Sequence, residues 1–342
     1  MTKFTRSFDS ANLASQLDAA PILRSLLDQW QLPGPDSSRT RHGLRLAVRA
    51  GYLNFYAKGQ SVAKLSLPGG FARLDVHHKY LSLPKTGGDY LTFKGEALKA
   101  LPGDVLDGWV EEALQYSGAE KRFVDDLVTA NPGTIDLEMG LPGDVRVRKS
   151  FKNGDGQEVL KKVAPRMDLV LLQPAGDHVQ LAFWEAKCGD NGELRAQGDA
   201  PPHVQGQLAK YVEWLRLTDR GQEVLRAYIS NAGILLELAR LVGKSPCRAM
   251  DLWRQATAPL TMVASPGVVI GYYGAPSLNP DELDARNALL KHYHRSFEAL
   301  HKGKLRGVQP GGHPIQVEEY CVAPAAPLPV LNGLLIGQDM HA

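Results

Sequence analysis

Two short apolar runs constrain this chain more than anything else in it: Met167-Asp168-Leu169-Val170-Leu171-Leu172 and Leu181-Ala182-Phe183-Trp184-Glu185-Ala186-Lys187. Each has the length of a strand, and Pro174-Ala175-Gly176-Asp177 between them supplies turn residues. The runs read as neighbouring antiparallel strands of a hairpin. Side chains alternate across a strand, so Glu185 and Lys187 share a face. Asp168 opens the first strand and Glu185 lies near the end of the second, and the hairpin sets those two ends side by side. Two carboxylates and an ammonium group thus gather at one edge of an otherwise apolar pair. Burying such charges is costly unless they are paired or bind a cation.

The rest of the chain supplies the frame. Leucine and isoleucine recur at helical spacing from Asp9 to Trp30, which predicts one helix. From Leu44 to Leu81 the pattern changes to short alternating segments with Gly51 and Lys58-Gly59 as turns, an antiparallel meander. A long helix is expected from Asp104 to Thr129, stopped by Asn131-Pro132-Gly133. Strands follow at Val145–Phe151, Met167–Leu172 and Val179–Ala186. Helices are expected from just after Pro201-Pro202 to about Leu217 and from Gln222 to Leu241, then a buried strand at Val268–Tyr273 and a charged helix from Asp281 to Lys302. The expected organisation is a small N-terminal α+β domain (residues 1–103), an α/β domain with a mixed central sheet flanked by helices (104–322), and a Pro/Ala-rich tail (323–342).

Hard carboxylate oxygens hold Mg²⁺ or Mn²⁺. Such an ion polarises a phosphoryl group and activates water, and a lysine can orient that water or neutralise the developing charge. In this respect the chain resembles the PD-(D/E)XK nuclease superfamily, whose core is restriction-endonuclease-like. Asp168 matches the isolated acid and Glu185-Ala186-Lys187 the (D/E)-x-K element. Gly118-Ala119-Glu120-Lys121-Arg122-Phe123-Val124 looks like the helical element of archaeal Holliday-junction resolvases that adds an acid, with Glu120 the candidate and Asp125 and Glu112 as alternatives. Gln207-Leu208-Ala209-Lys210-Tyr211 resembles the Q-x-x-x-Y element of RecB-like members, with Gln205 close by and His203 one turn back. Met167 stands where the motif's name has proline. The resemblance covers roughly residues 105 to 275 and does not extend to the N-terminal meander.

The resemblance implies metal ligands Glu120, Asp168, Glu185 and the Ala186 carbonyl. It also implies Lys187 assisting the water, with Gln207 and Tyr211 organising the site. The implied activity is a Mg²⁺- or Mn²⁺-dependent deoxyribonuclease. The rival is a non-catalytic nucleic-acid-binding or scaffold protein on the same fold, with a ribonuclease as a subsidiary alternative because the motif does not read a 2′-hydroxyl.

Net charge is only +2, so local charge must carry any argument for DNA as a partner. Between Asp36 and Asp75 there is no acid, and Arg39, Arg41, Arg45, Arg49, Lys58, Lys64 and Arg73 are interleaved with Tyr52, Phe55, Tyr56 and Phe71. Cations track phosphates and aromatic rings stack bases. Arg45, Arg49 and Lys58 are therefore expected to contact nucleic acid, with Arg146 and Arg148 as a second strip; the same domain could instead hold a protein partner. His77-His78 and His292-x-His294 lack the spacing of metal ligands. Three scattered cysteines, Cys188, Cys247 and Cys321, give no zinc or disulfide framework and fit a reducing cytoplasm. No run of eighteen apolar residues implies a membrane span. A homo-oligomer is compatible with the sequence and is not specified by it.

Overall fold

The computed structural model describes residues 3–81, 88–152, 158–189, 191–194, 201–256, 260–263, 266–271, 316–320 and 331. The expected helix at 281–302, most of the tail, His292, His294 and Cys321 lie outside them, as do the side chains of Arg146 and Arg148.

The expected N-terminal helix is two: α1 (Ser10–Leu17) and α2 (Pro21–Asp28). The leucine spacing continues across the break, but Pro21 lacks an N–H and suits the first position of a new helix. The meander follows as β1 (Arg45–Val48), β2 (Tyr52–Ala57), β3 (Gln60–Ser66), β4 (Arg73–His77) and β5 (Tyr90–Lys94). These strands pair in sequence order, all antiparallel. The turn between β2 and β3 uses Lys58 (φ 44) and Gly59 (φ 77) in the left-handed region.

Three helices come next: α3 (Glu96–Lys99), α4 (Val105–Gln115) and α5 (Ala119–Ala130). The last two replace the single expected helix, and the new start after Gly118 puts Glu120 in the first turn of α5. A strand without a counterpart among the sequence expectations follows, β6 (Thr134–Gly140). Then come the hairpin of β7 (Asp144–Lys152) and β8 (Glu158–Val163), and the motif hairpin of β9 (Arg166–Ala175) and β10 (His178–Cys188). The chain continues through α6 (His203–Arg216), α7 (Thr218–Leu241), α8 (Arg248–Gln255), β11 (Thr261–Met262), β12 (Gly267–Gly271) and β13 (Gln316–Tyr320).

The second sheet runs β13-β12-β10-β9-β6, with β11 also beside β10. β12 is parallel to β10 and β13 to β12, whereas β9 is antiparallel to both β10 and β6. The chain is thus mixed α/β with a mixed central sheet. α5 packs Phe123, Val124 and Leu127 against the face formed by Leu169, Ala182 and Trp184. The other face, with Val170, Leu181 and Phe183, is buried together with Leu208, Tyr211 and Trp214 of α6 and with Tyr228 of α7. That core is continuous with Leu23, Leu26, Phe55 and Leu65 of the N-terminal part, so it passes through both sides of residue 103. Two glycines of β12 permit the close packing: a Cβ on Gly267 would lie 2.5 Å from the Trp184 ring, and one on Gly271 2.4 Å from that of Phe123. Among the described residues no helix is long and apolar enough to cross a membrane.

Candidate active site

The pairing of β9 with β10 ends at Leu169 opposite Trp184. One step further, the Asp168 carboxylate takes the place of a strand: the Ala186 N–H donates to its Oδ2 at 2.9 Å. A strand residue points its N–H and C=O to the same side, so the Ala186 carbonyl also faces the Asp168 side, past the end of the ladder. Glu185 and Lys187 project from the same face, as their alternation demands, with Lys187 Nζ 2.8 Å from Glu185 Oε1. Glu120 reaches in from α5, its Oε1 3.9 Å from the same ammonium. The structure therefore brings Glu120, Asp168, Glu185 and Lys187 together.

Two further residues of this cluster belong to no sequence motif. After β10 the chain turns through Asn191 and a 3₁₀ turn at Gly192–Leu194. Asn191 donates its amide to Glu120 Oε2 at 2.9 Å, and Glu193 Oε2 lies 3.0 Å from Lys187 Nζ. His203 Nδ1 is 3.2 Å from Glu193 Oε1, and Gln207 Nε2 is 3.4 Å from both Glu193 oxygens, a weak bond. Gln207 thus meets the site through Glu193. The only available signal was polar turn chemistry after the strand, which does not distinguish a site from a loop. Lys121, beside Glu120, pairs with Glu138, which adopts a left-handed conformation (φ 52) rare for a residue with a side chain.

Tyr211 lies beneath the cluster. It is buried, and its hydroxyl donates to the Met139 carbonyl of β6 at 2.8 Å. It braces the strand next to the carboxylates. Burial, with Glu185 nearby, pushes its pKa well up.

The electrostatics follow from burial. The side chains of Glu185 and Lys187 are 8% and 6% exposed, whereas those of Glu120 and Glu193 are 34% and 36%, so a buried floor opens onto a more accessible rim. Burial pushes the Glu185 carboxyl up to about 8; the adjacent Asp168 adds to this and Lys187 opposes it. Asp168 is raised too, because burial outweighs the Ala186 N–H and Lys187. Burial works against the Lys187 ammonium, but Glu185, Glu120 and Asp168 outweigh it and its pKa rises. Partial burial pushes the Glu193 carboxyl up, but the bond and charge of Lys187 together with His203 outweigh it and hold the carboxyl low.

Among the described residues no group of three His, Cys, Asp or Glu side chains stands ready-made around a metal position. The Lys187 ammonium itself sits among the carboxylates. The donor set nevertheless suits a hard divalent ion. Two buried carboxyls held above their ordinary values gain most from a cation, and Asp168, Glu185, Glu120 and the Ala186 carbonyl are all oxygen donors.

The expected nucleic-acid contacts fare differently. Arg45 and Arg49 are 3% and 9% exposed. Arg45 donates to Asp125 Oδ1 at 2.9 Å and Thr129 Oγ1 at 2.6 Å; Arg49 donates to Asp136 Oδ1 at 2.6 Å. Their expected role as phosphate contacts is corrected, because buried guanidiniums bonded to carboxylates offer nothing to a passing backbone. Lys58 is partly exposed but holds Asp125 and lies 3.7 Å from Asp126. Asp125, one of the two alternatives for the helix acid, is taken up by these bonds. The N-terminal sheet instead clamps α5. Arg45 and Lys58 grip Asp125, Ser117 donates to the Lys58 carbonyl, and a Cβ on Gly59 would lie 2.8 Å from Lys121. Arg45→Ala should therefore destabilise the fold by about 3 kcal/mol in urea unfolding, since Asp125 stays buried with one partner fewer. If the protein is assayed for DNA binding, the variant should show the same salt slope as the wild type; a flattened slope would restore the phosphate-contact role.

No protein-family model, curated protein or solved structure matches this chain.

Proposed function

We propose that this protein is a metal-dependent nuclease that hydrolyses DNA phosphodiester bonds, on a restriction-endonuclease-like arrangement of β6, β9, β10 and β12 with α5 and α6. One observation carries the reading. Asp168 sits at the end of the β9–β10 ladder on the Ala186 N–H, beside Glu185, Lys187 and the incoming Glu120. Buried carboxyls with raised pKa values beside a buried ammonium, in a cluster open on one side, are an expensive arrangement that packing alone does not require.

Glu120, Asp168, Glu185 and the Ala186 carbonyl would hold Mg²⁺ or Mn²⁺. When bound, the ion supplies Lewis acidity toward a phosphoryl oxygen and its own coordinated water. The chain's residues do the rest. Asp168, fixed by the Ala186 N–H, sets the direction of the strand end. Lys187 places a positive charge where negative charge develops. Asn191 and Glu193 fix Glu120 and Lys187. Arg166, whose side chain is 70% exposed and 3.4 Å from Glu138, adds a cation near the rim.

The test is incubation with linear, circular, branched and single-stranded DNA, with Mg²⁺, Mn²⁺ or EDTA. Cleavage that survives EDTA, or no cleavage of any substrate with either ion, would sink the reading. Lys187→Met separates the ammonium from the acids. It should leave Mn²⁺ binding intact or tighter, because a neighbouring positive charge is gone, while single-turnover cleavage falls about 10²-fold or more. If calorimetry shows Mn²⁺ binding lost in this variant, the lysine is structural.

A further inference from the structure

We infer that Glu193 is the second anchor of Lys187, a positioning residue that keeps the ammonium aimed when a divalent cation claims Glu185. This deepens the nuclease reading and rests on it.

The Lys187 ammonium is nearest to Glu185, at 2.8 Å, and Glu185 is also the most deeply buried carboxylate placed to hold a metal beside Asp168. An ammonium and a divalent cation repel each other at such distances, and burial leaves the repulsion poorly screened. Occupation of Glu185 by a metal therefore weakens the hold of that carboxylate on the lysine. A lysine stem has four rotatable carbons, so an ammonium that loses its nearest partner loses its direction. Glu193 Oε2, at 3.0 Å, is the alternative; Glu120, at 3.9 Å, is itself a candidate ligand.

Glu193 is held for this task. Its backbone N–H donates to Asn191 Oδ1 at 2.9 Å, which fixes the turn. His203 and Gln207 of α6 contact its carboxylate, and both lie at the start of the helix that packs under the sheet. Asn191 also holds Glu120. One short turn therefore ties the rim acid and the lysine together. Glu193 is about a third exposed, so its contacts are not the product of core burial.

Glu193→Gln keeps the shape and removes the charge. With one anchor lost, Lys187 leans on Glu185 and competes with the metal. Calorimetry should show Mn²⁺ affinity weakened, and single-turnover cleavage at saturating Mn²⁺ should fall, each by about 10- to 100-fold, with thermal stability near wild type. Glu193→Asp, which retains the charge on a shorter arm, should recover part of both. A third readout needs neither metal nor activity: acylation of Lys187 by acetic anhydride, followed by mass spectrometry, should be faster in Glu193→Gln than in the wild type. Affinity and rate both unchanged in Glu193→Gln overturn the inference, as does a Glu193→Asp variant no better than Glu193→Gln. If the wild-type protein neither binds Mn²⁺ nor cleaves, the nuclease reading fails by itself. Unchanged acylation then removes the anchoring role as well, whereas faster acylation keeps Glu193 as the lysine's anchor in a site of other chemistry.

Discussion

Glu185→Gln is expected to abolish metal-dependent cleavage, a loss of about 10³-fold or more, and to make the cation-free protein more stable. Both follow from the same geometry. Glutamine keeps the volume and one carbonyl oxygen but not the charge that holds a divalent ion, and without the ion its several kcal/mol of charge stabilisation are gone. Stability should move the other way. In the fold, burial and Asp168 raise this carboxyl from 4.5 to about 8. A carboxyl whose folded pKa is raised stabilises the fold fully below its unfolded pKa and loses that contribution as pH rises toward the folded value. The variant has nothing to lose, so its melting temperature should exceed that of the wild type by a margin that grows from about pH 5 to about pH 8 and then levels. Saturating Mn²⁺ should reverse the order, because only the wild type gains from the ion. Thermal melts across that pH range, with and without Mn²⁺, read both halves. A variant that cleaves at the wild-type rate, or a stability gap that shrinks with rising pH, contradicts the assignment.

The gathering of two carboxylates and an ammonium at one strand end is what the hairpin pattern predicts. Asp168, Glu185 and Lys187 were legible because they break an apolar run at strand period, a local signal. Glu120 was legible only once a family resemblance selected it from several acids on a helix; α5 begins beside it because Gly118 interrupts the helical run. Asn191 and Glu193 were not legible, since a polar turn after a strand carries the same residues whether or not it holds a lysine.

The N-terminal arginines failed for a different reason. Leu44, Leu46 and Val48 alternate with Arg45, Ala47 and Arg49, and the alternation does separate two faces. It cannot say that one of them is wet. Every residue of β1 is buried, because α5 and β6 cover the face that looked solvated. The carboxylates that neutralise it, Asp125 and Asp136, stand 80 and 87 positions further along. β6 is hidden in the same way: Thr134-Ile135-Asp136-Leu137-Glu138 looks half polar, yet Asp136 is among the most buried carboxylates of the described residues.

Asp136→Ala should have the largest effect on stability. The carboxylate lies on β6 and is 1% exposed. Its Oδ2 accepts from Arg6 Nη2 at 2.7 Å and from the Tyr228 hydroxyl at 2.9 Å; its Oδ1 accepts from Arg49 at 2.6 Å and from the Leu137 N–H at 2.8 Å. Arg6 belongs to the N-terminal segment, Arg49 follows β1, and Tyr228 lies on α7, so one side chain joins both sheets and the helix between them. Removing it leaves two guanidiniums without their carboxylate and a buried hydroxyl without its acceptor. Breaking a buried ion pair in this way costs about 3–5 kcal/mol, and two arginines share this partner. The urea midpoint should fall accordingly. Burial opposes ionisation of Asp136, but Arg49 and Arg6 outweigh it and hold the carboxyl below 3.8. A depressed carboxyl stabilises above its unfolded pKa and loses that contribution as pH falls through the folded value, so the wild type should lose stability on acidification below about pH 4 more steeply than the variant. Cleavage by Asp136→Ala should disappear only where the fold does, and should return under conditions that restore it, unlike that of Glu185→Gln. An unfolding free energy from urea within about 0.5 kcal/mol of wild type would mean that the network contributes nothing net, as some buried ion clusters do when hydrophobic packing carries the fold.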